Sequence, residues 1–290
     1  MGGSLHFEAP TALQYFAALV ADDASFPVIE VAIAVAQDTE PGLDPQAVLS
    51  QIDLLADRLR RRLPADAAPL QKLRLLNRYF FHELGFAGNV NDYYDPRNSY
   101  LHAVLESRRG IPITLALLYA EIAGQLGLDA SGVSFPGHFL VKLRMPRGEV
   151  VLDPFSGQSL SREDLEERLV PYLRQRGLVG DFEAPLGLFL QSSPPRDVIA
   201  RLLRNLKEIH RTAGDWPRLL AVLDRLVILL PQAWEERRDR GLVHAELGDS
   251  AHAAADLRVY LRHCPEADDA GAVQGHLLGL GGTSRRPRLH

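Results

Sequence analysis

The chain has 290 residues, 46% of them apolar and 24% charged, a soluble globular profile with length for one large domain or two ordinary ones. The net charge of −5 argues against a general nucleic-acid surface, which needs a basic field, and no apolar run is long enough to cross a bilayer. Cys264 is the single cysteine, so an intramolecular disulfide and a cysteine metal cluster are excluded; the N-terminus lacks the pattern of a secretory signal, and a cytoplasmic protein is expected.

The first part reads as helical. Leu13, Phe16, Ala17 and Val20 recur at i, i+3, i+4, i+7, as do Val28, Val31, Ala32 and Val35. Asp44 followed by Pro45 is a helix start, and Val48, Ile52, Leu55 and Leu59 form its apolar stripe. Arg58, Arg60, Arg61 and Arg62 close that helix, where cations suit the dipole. Leu73, Leu76, Phe80 and Leu84 mark a fourth helix, which stops at Gly85. Residues 87–98 are rich in Gly, Asn and Asp and read as an ordered loop, packed through Phe86, Tyr93 and Tyr94. Asn98 or Ser99 is expected to cap a short helix through Leu105. Pro112 opens the next helix, whose broad apolar face (Leu115, Leu118, Ile122, Leu126) marks it as buried, and Gly127 ends it.

The pattern then changes to strands over 131–135, 138–144 and 149–152, the last two joined by the turn Met145-Pro146-Arg147-Gly148. Helices followed by a small antiparallel sheet make an α+β layout. Ser161 and Asp164 form a capping pair for a further helix. Gly, Pro and Ser then accumulate up to Arg196, the best boundary. Beyond it Gly214-Asp215 recurs as Gly248-Asp249 and Pro231 as Pro265. Both recurrences have the same offset, which is the period of the tetratricopeptide helix pair, about 34 residues. Two copies cannot bury their apolar faces alone, so they are expected to dock on the first domain. The expected organisation is a helical part over 1–90, a core over 91–176, a linker over 177–196, two repeats with a capping helix over 197–280, and a tail over 281–290.

The chemistry-bearing residues lie between Asn91 and Gly157. A helix starts at Pro112, His138 opens a strand, and Asp153 closes the next strand across a tight hairpin, within side-chain reach of His138. A helix head, a histidine and a carboxylate in that order suit acyl transfer, where the helix head favours a thiolate and an oxyanion. Gly110-x-Pro112, Ala116, Leu126-Gly127, Gly137-His138-Phe139 and Leu152-Asp153-Pro154 together resemble the transglutaminase-like superfamily. The match is similar in particular to its bacterial SirB-type branch, in which tetratricopeptide repeats follow the domain. The resemblance implies a helix-rich papain/transglutaminase-like domain followed by an all-α repeat region.

In that family the helix opens as Gly-x-Cys, with the nucleophilic cysteine at a set distance before the Leu-Gly glycine, and the same count back from Gly127 reaches Pro112. The resemblance therefore implies a catalytically degenerate frame. His138 and Asp153 remain, Pro112 holds the nucleophile's place, and Thr114 is the one hydroxyl in the first helical turn. Asn91, Tyr94, Asp95, Asn98 and Arg109 are the candidate binding residues. His102, His138, Asp95 and Asp153 stand at no ligand-motif spacing, so neither a metal nor another cofactor is expected. The expected role is a regulatory module engaging a peptide or protein through the cleft or the repeat groove, without nucleic acid or membrane. The alternative is an active hydrolase or acyltransferase using His138 and Asp153 with a non-cysteine nucleophile, water or a metal.

Overall fold

A computed structural model describes residues 10–177 and 185–283, with side chains to 280. The N-terminal residues read as lacking a secretory signal, residues 178–184 of the expected linker and most of the expected tail lie outside the described residues.

Three helices open the chain: α1 (Ala12–Leu19), α2 (Val28–Ala34) and α3 (Pro45–Arg60). Asp44 caps α3 by accepting from Gln46 N–H, and Pro45 takes the first helical position, where no N–H is missed. The fourth helix, α4 (Pro69–Asn77), continues through a π turn over Arg78–Glu83. Strand β1 (Ala87–Gly88) leads into the loop and a 3-10 turn over Pro96–Ser99. Asp95 caps that turn, and Ser99 ends it with its hydroxyl buried and unpaired. The following helix, α5 (Leu101–Ser107), has no side-chain cap, so the expected capping by Asn98 or Ser99 is corrected. The tighter turn before α5 takes up both residues.

Arg108 ends α5 in the left-handed conformation, and β2 (Arg109–Gly110) pairs parallel with β1. Helix α6 (Pro112–Gln125) is the central helix, with Ile113 to Tyr119 all buried. A four-stranded antiparallel sheet follows in the order β3 (Asp129–Val133), β4 (Leu140–Met145), β5 (Gly148–Asp153), β6 (Gln158–Leu160). His138 thus precedes its strand by two residues instead of opening it. It lies in a turn closed by His138 N–H donating to Phe135 O at 3.0 Å. One face of the sheet carries Val141, Leu143 and Leu152 into the core around α6. The other carries Val133, Leu140 and Val151 against α7 (Arg162–Gln175), which is capped by the Ser161–Asp164 pair. A short α8 (Leu186–Phe189) falls inside the expected linker.

The helical remainder is α9 (Pro195–Ala213), α10 (Trp216–Leu229), α11 (Trp234–Glu246), α12 (Ser250–His263) and α13 (Ala270–Thr283). The helix pairs α9–α10 and α11–α12 carry the two copies of the Gly-Asp recurrence. Gly214 and Gly248 take φ of 66° and 79° at matching helix ends, a conformation open to glycine without strain. Asp215 and Asp249 cap the second helix of each pair. The first pair docks as the two-repeat argument requires: Ile199, Leu202, Leu206, Leu223 and Leu226 share one core with Phe16, Ile29, Leu105 and Leu118. Arg225, 1% exposed, lies over the Phe16 ring and pairs with Asp38, and Arg196 donates to Val20 O and Leu229 O. Among the described residues no helix is long and apolar enough to cross a membrane.

Candidate functional site

Register brings the histidine and the carboxylate together. Val141 pairs with Leu152 across β4–β5, so Asp153 lies at the strand end beside the turn that carries His138. His138 Nε2 and Asp153 Oδ1 are 2.8 Å apart, and the Asp153 side chain is 5% exposed. An ionised carboxylate only accepts, so Nε2–H is the donor and Nδ1 is the free nitrogen. Phe155 N–H donates to the same Oδ1 at 2.9 Å, and Arg168 of α7 donates to Oδ2 at 3.2 Å. Burial pushes the Asp153 carboxyl up, but the His138 hydrogen bond and charge, Phe155 N–H and Arg168 outweigh it and hold the group at about 2. The pair is fixed from behind by Arg201 of α9, which donates to His138 O at 2.8 Å and lies 5.4 Å from the Phe139 ring centroid. Phe155 stands beside it, edge-on to His138 at 6.5 Å and 6.0 Å from Tyr93. It closes over β1 so tightly that a Cβ at Gly88 would lie 2.3 Å from its ring.

The head of α6 carries Pro112 and Thr114. Pro112 is buried at the first helical position. Thr114 is fully buried; its hydroxyl donates to Asn98 O at 2.8 Å and accepts from Ile111 N–H at 3.2 Å. The hydroxyl proposed as a weak substitute nucleophile ties the loop to the helix head and accepts from the N–H of the N-cap residue Ile111. Thr114→Val is expected to cost about 1 kcal/mol in urea unfolding, the usual loss for a buried hydrogen bond; Asn98 O would keep the Ile111 N–H at 3.4 Å.

Beside the helix head lies an open cleft of about 540 Å³, walled by Tyr93, Tyr94 and Ile111 on one side and by Asn205, Glu208, Ile209 and Thr212 of α9 on the other. Tyr94 is 76% exposed at its mouth. One turn of α9 separates Arg201, which holds His138, from Asn205, which lines the cleft.

A profile of the transglutaminase-like superfamily matches residues 46–204, and a tetratricopeptide-repeat profile matches residues 206–277. The chain is 40% identical over 260 residues to a UPF0162 protein of Xylella fastidiosa, covering 89% of this chain and 92% of that one. The chain belongs to the transglutaminase-like superfamily, within the UPF0162 group. It is also 30% identical to a UPF0162 protein of Pseudomonas aeruginosa over 76% of this chain and 78% of that one. Identity to the UPF0162 protein YchA of Escherichia coli is 27%, over 74% and 77%. No solved structure matches.

Within this transglutaminase-like frame the five candidate binding residues separate. Tyr94 lines the cleft. Asn98 is buried: its amide donates to Asp92 O at 2.7 Å and its Oδ1 accepts from Asn89 at 3.0 Å, so it serves the loop. Asp95 accepts from Arg97 N–H, and Arg109 donates to Gly85 O at 2.6 Å. Asn91 is exposed, outside the residues that wall the cleft. Sequence reasoning missed Arg168, Arg201, Phe155 and the cleft face of α9. The one signal for that face was Asn205, Glu208, Ile209 and Thr212 at i, i+3, i+4, i+7, a stripe beside the apolar Leu202, Leu203 and Leu206.

Proposed function

We propose that the protein is a catalytically degenerate transglutaminase-like module that binds a peptide segment of a protein partner in the cleft between the Tyr93–Tyr94 loop and α9. The observation that carries this reading is the head of α6: a buried proline stands where the family's thiol belongs, and the neighbouring hydroxyl is consumed. The cleft is mostly apolar, with two tyrosines at its mouth, and apolar walls with few polar groups suit a side-chain anchor of a peptide. Tetratricopeptide repeats generally mediate protein–protein contacts, and here the first repeat helix is itself a wall of the cleft. A cytoplasmic location belongs to the same reading.

The test is selection of binding peptides from a random display library on the full chain. Selected peptides are expected to lose about tenfold in affinity on Tyr94→Ala, roughly 1.4 kcal/mol. Peptides indifferent to Tyr94→Ala would place binding elsewhere and overturn the reading. A hydrolase reading rests on the His138–Asp153 pair with its free Nδ1. Turnover of activated esters or amides that His138→Ala removes, with the melting temperature unchanged, would establish that reading in place of the binding one.

A further inference from the structure

The two repeats carry the same three-residue frame, and one member differs. In the first repeat it is His210, Asp215 and Arg218; in the second, one repeat period later, it is His244, Asp249 and His252. Each aspartate caps the second helix of its pair by accepting from the N–H three residues on, from Arg218 at 3.2 Å and from His252 at 3.1 Å. Each carboxylate then turns its second oxygen to the same neighbour. In the first repeat Asp215 Oδ2 meets Arg218 Nη1 at 2.9 Å, a fixed cation with no lone pair to offer. In the second, Asp249 Oδ2 lies 2.6 Å from His252 Nδ1 and 3.7 Å from His244 Nδ1. The two imidazoles stack at 5.2 Å, and the three donor atoms lie within 4.8 Å of one another.

We propose that His244, Asp249 and His252 form a site for a borderline divalent transition metal of the Zn²⁺ class. Two imidazoles and one carboxylate are a donor set such ions favour, with the remaining position left to water. With ligand bonds of about 2.0–2.1 Å, neighbouring donors around a tetrahedral ion stand about 3.3 Å apart. The shorter of the two carboxylate–imidazole separations must open and the longer one close, each by less than an ångström. His252 is 73% exposed on the first turn of α12 and is free to make that shift. The ion would do in the second repeat what the Arg218 guanidinium does in the first: supply positive charge to the capping carboxylate. It would also join the last turn of α11, whose carbonyl end favours a cation, to the start of α12 across the Gly248 turn.

The experiment is calorimetric titration of the full-length, tag-free, chelator-stripped protein with ZnCl₂ alone. One equivalent is expected to bind with a dissociation constant of roughly 10 μM or tighter. His252→Arg rebuilds the first-repeat frame and is expected to weaken binding at least about 100-fold without lowering the melting temperature, because the arginine restores the salt bridge seen at Arg218. His252→Gln is the second variant and is expected to show the same loss if the arginine variant folds poorly. Absence of binding at about 100 μM Zn²⁺, or equal binding by the wild type and a folded His252 variant, would overturn the proposal.

Discussion

Replacing Lys207 with methionine is expected to lower the unfolding free energy by about 3 kcal/mol at neutral pH, read as a shift of the urea midpoint. Lys207 is 7% exposed on α9, and its ammonium lies 2.6 Å from both Glu236 and Asp239 of α11. Methionine keeps the packed stem and removes the one charge held between two carboxylates. Glu236, 4% exposed, would keep Arg204 at 2.9 Å, and Asp239 would keep Arg211 at 2.8 Å and Arg238 at 2.7 Å. Those arginines are more exposed than Lys207, so they offset part of the loss, which places the expected cost at the low end for a broken buried ion pair. Burial pushes the Asp239 carboxyl up, but Lys207 and Arg238 outweigh it and hold the group below its ordinary range. A depressed folded value means that the unfolded chain binds more protons in the acid window, so this stabilisation is lost as the pH falls through the folded value. The Lys207→Met protein is therefore expected to show a shallower acid dependence than the wild type. Equal slopes would show that the ammonium does not hold the Asp239 carboxylate ionised.

Asp153→Asn is expected to cost about 2 kcal/mol at pH 7 and progressively less in acid. The carboxyl sits at about 2 in the folded chain against its ordinary 3.8, a gap worth about 2 kcal/mol. The contribution is complete above about pH 4 and is lost as the pH falls through the folded value, so roughly half of it remains at pH 3. Chemical unfolding of both proteins from pH 7 to pH 3 measures the convergence. A difference that stays constant over that range would mean that the pair with His138 does not set the carboxyl's charge. Arg168 keeps part of its exposure and is expected to turn to solvent in the variant, which limits the cost to the carboxylate's own interactions.

Much of the fold was legible because its signals are local. Asp44-Pro45 starts α3, Ser161 and Asp164 cap α7, and Gly214-Asp215 and Gly248-Asp249 mark the two repeats, each through groups within a few residues of one another. The meeting of His138 and Asp153 was also legible, since a tight hairpin fixes register and register fixes which strand ends coincide. The capping of α5 was misread because Asn98 and Ser99 suit either a cap or a tight turn, and contacts distant in sequence chose between them. Asn98 O receives the hydroxyl of Thr114, 16 residues on.

The sequence by itself determined the two architectures, the helix head at Pro112 and the absence of a thiol there. Only the tertiary structure decided what surrounds that head. Thr114 is consumed, Arg201 reaches His138 O across 63 residues, and the cleft exists because α9 of the first repeat stands opposite Tyr93 and Tyr94. Periodicity fixes which face of α9 is buried against the common core, but it carries no record of what the adjoining face will meet. That depends on how two separately patterned halves dock, and the docking is set by burial of non-directional apolar surface.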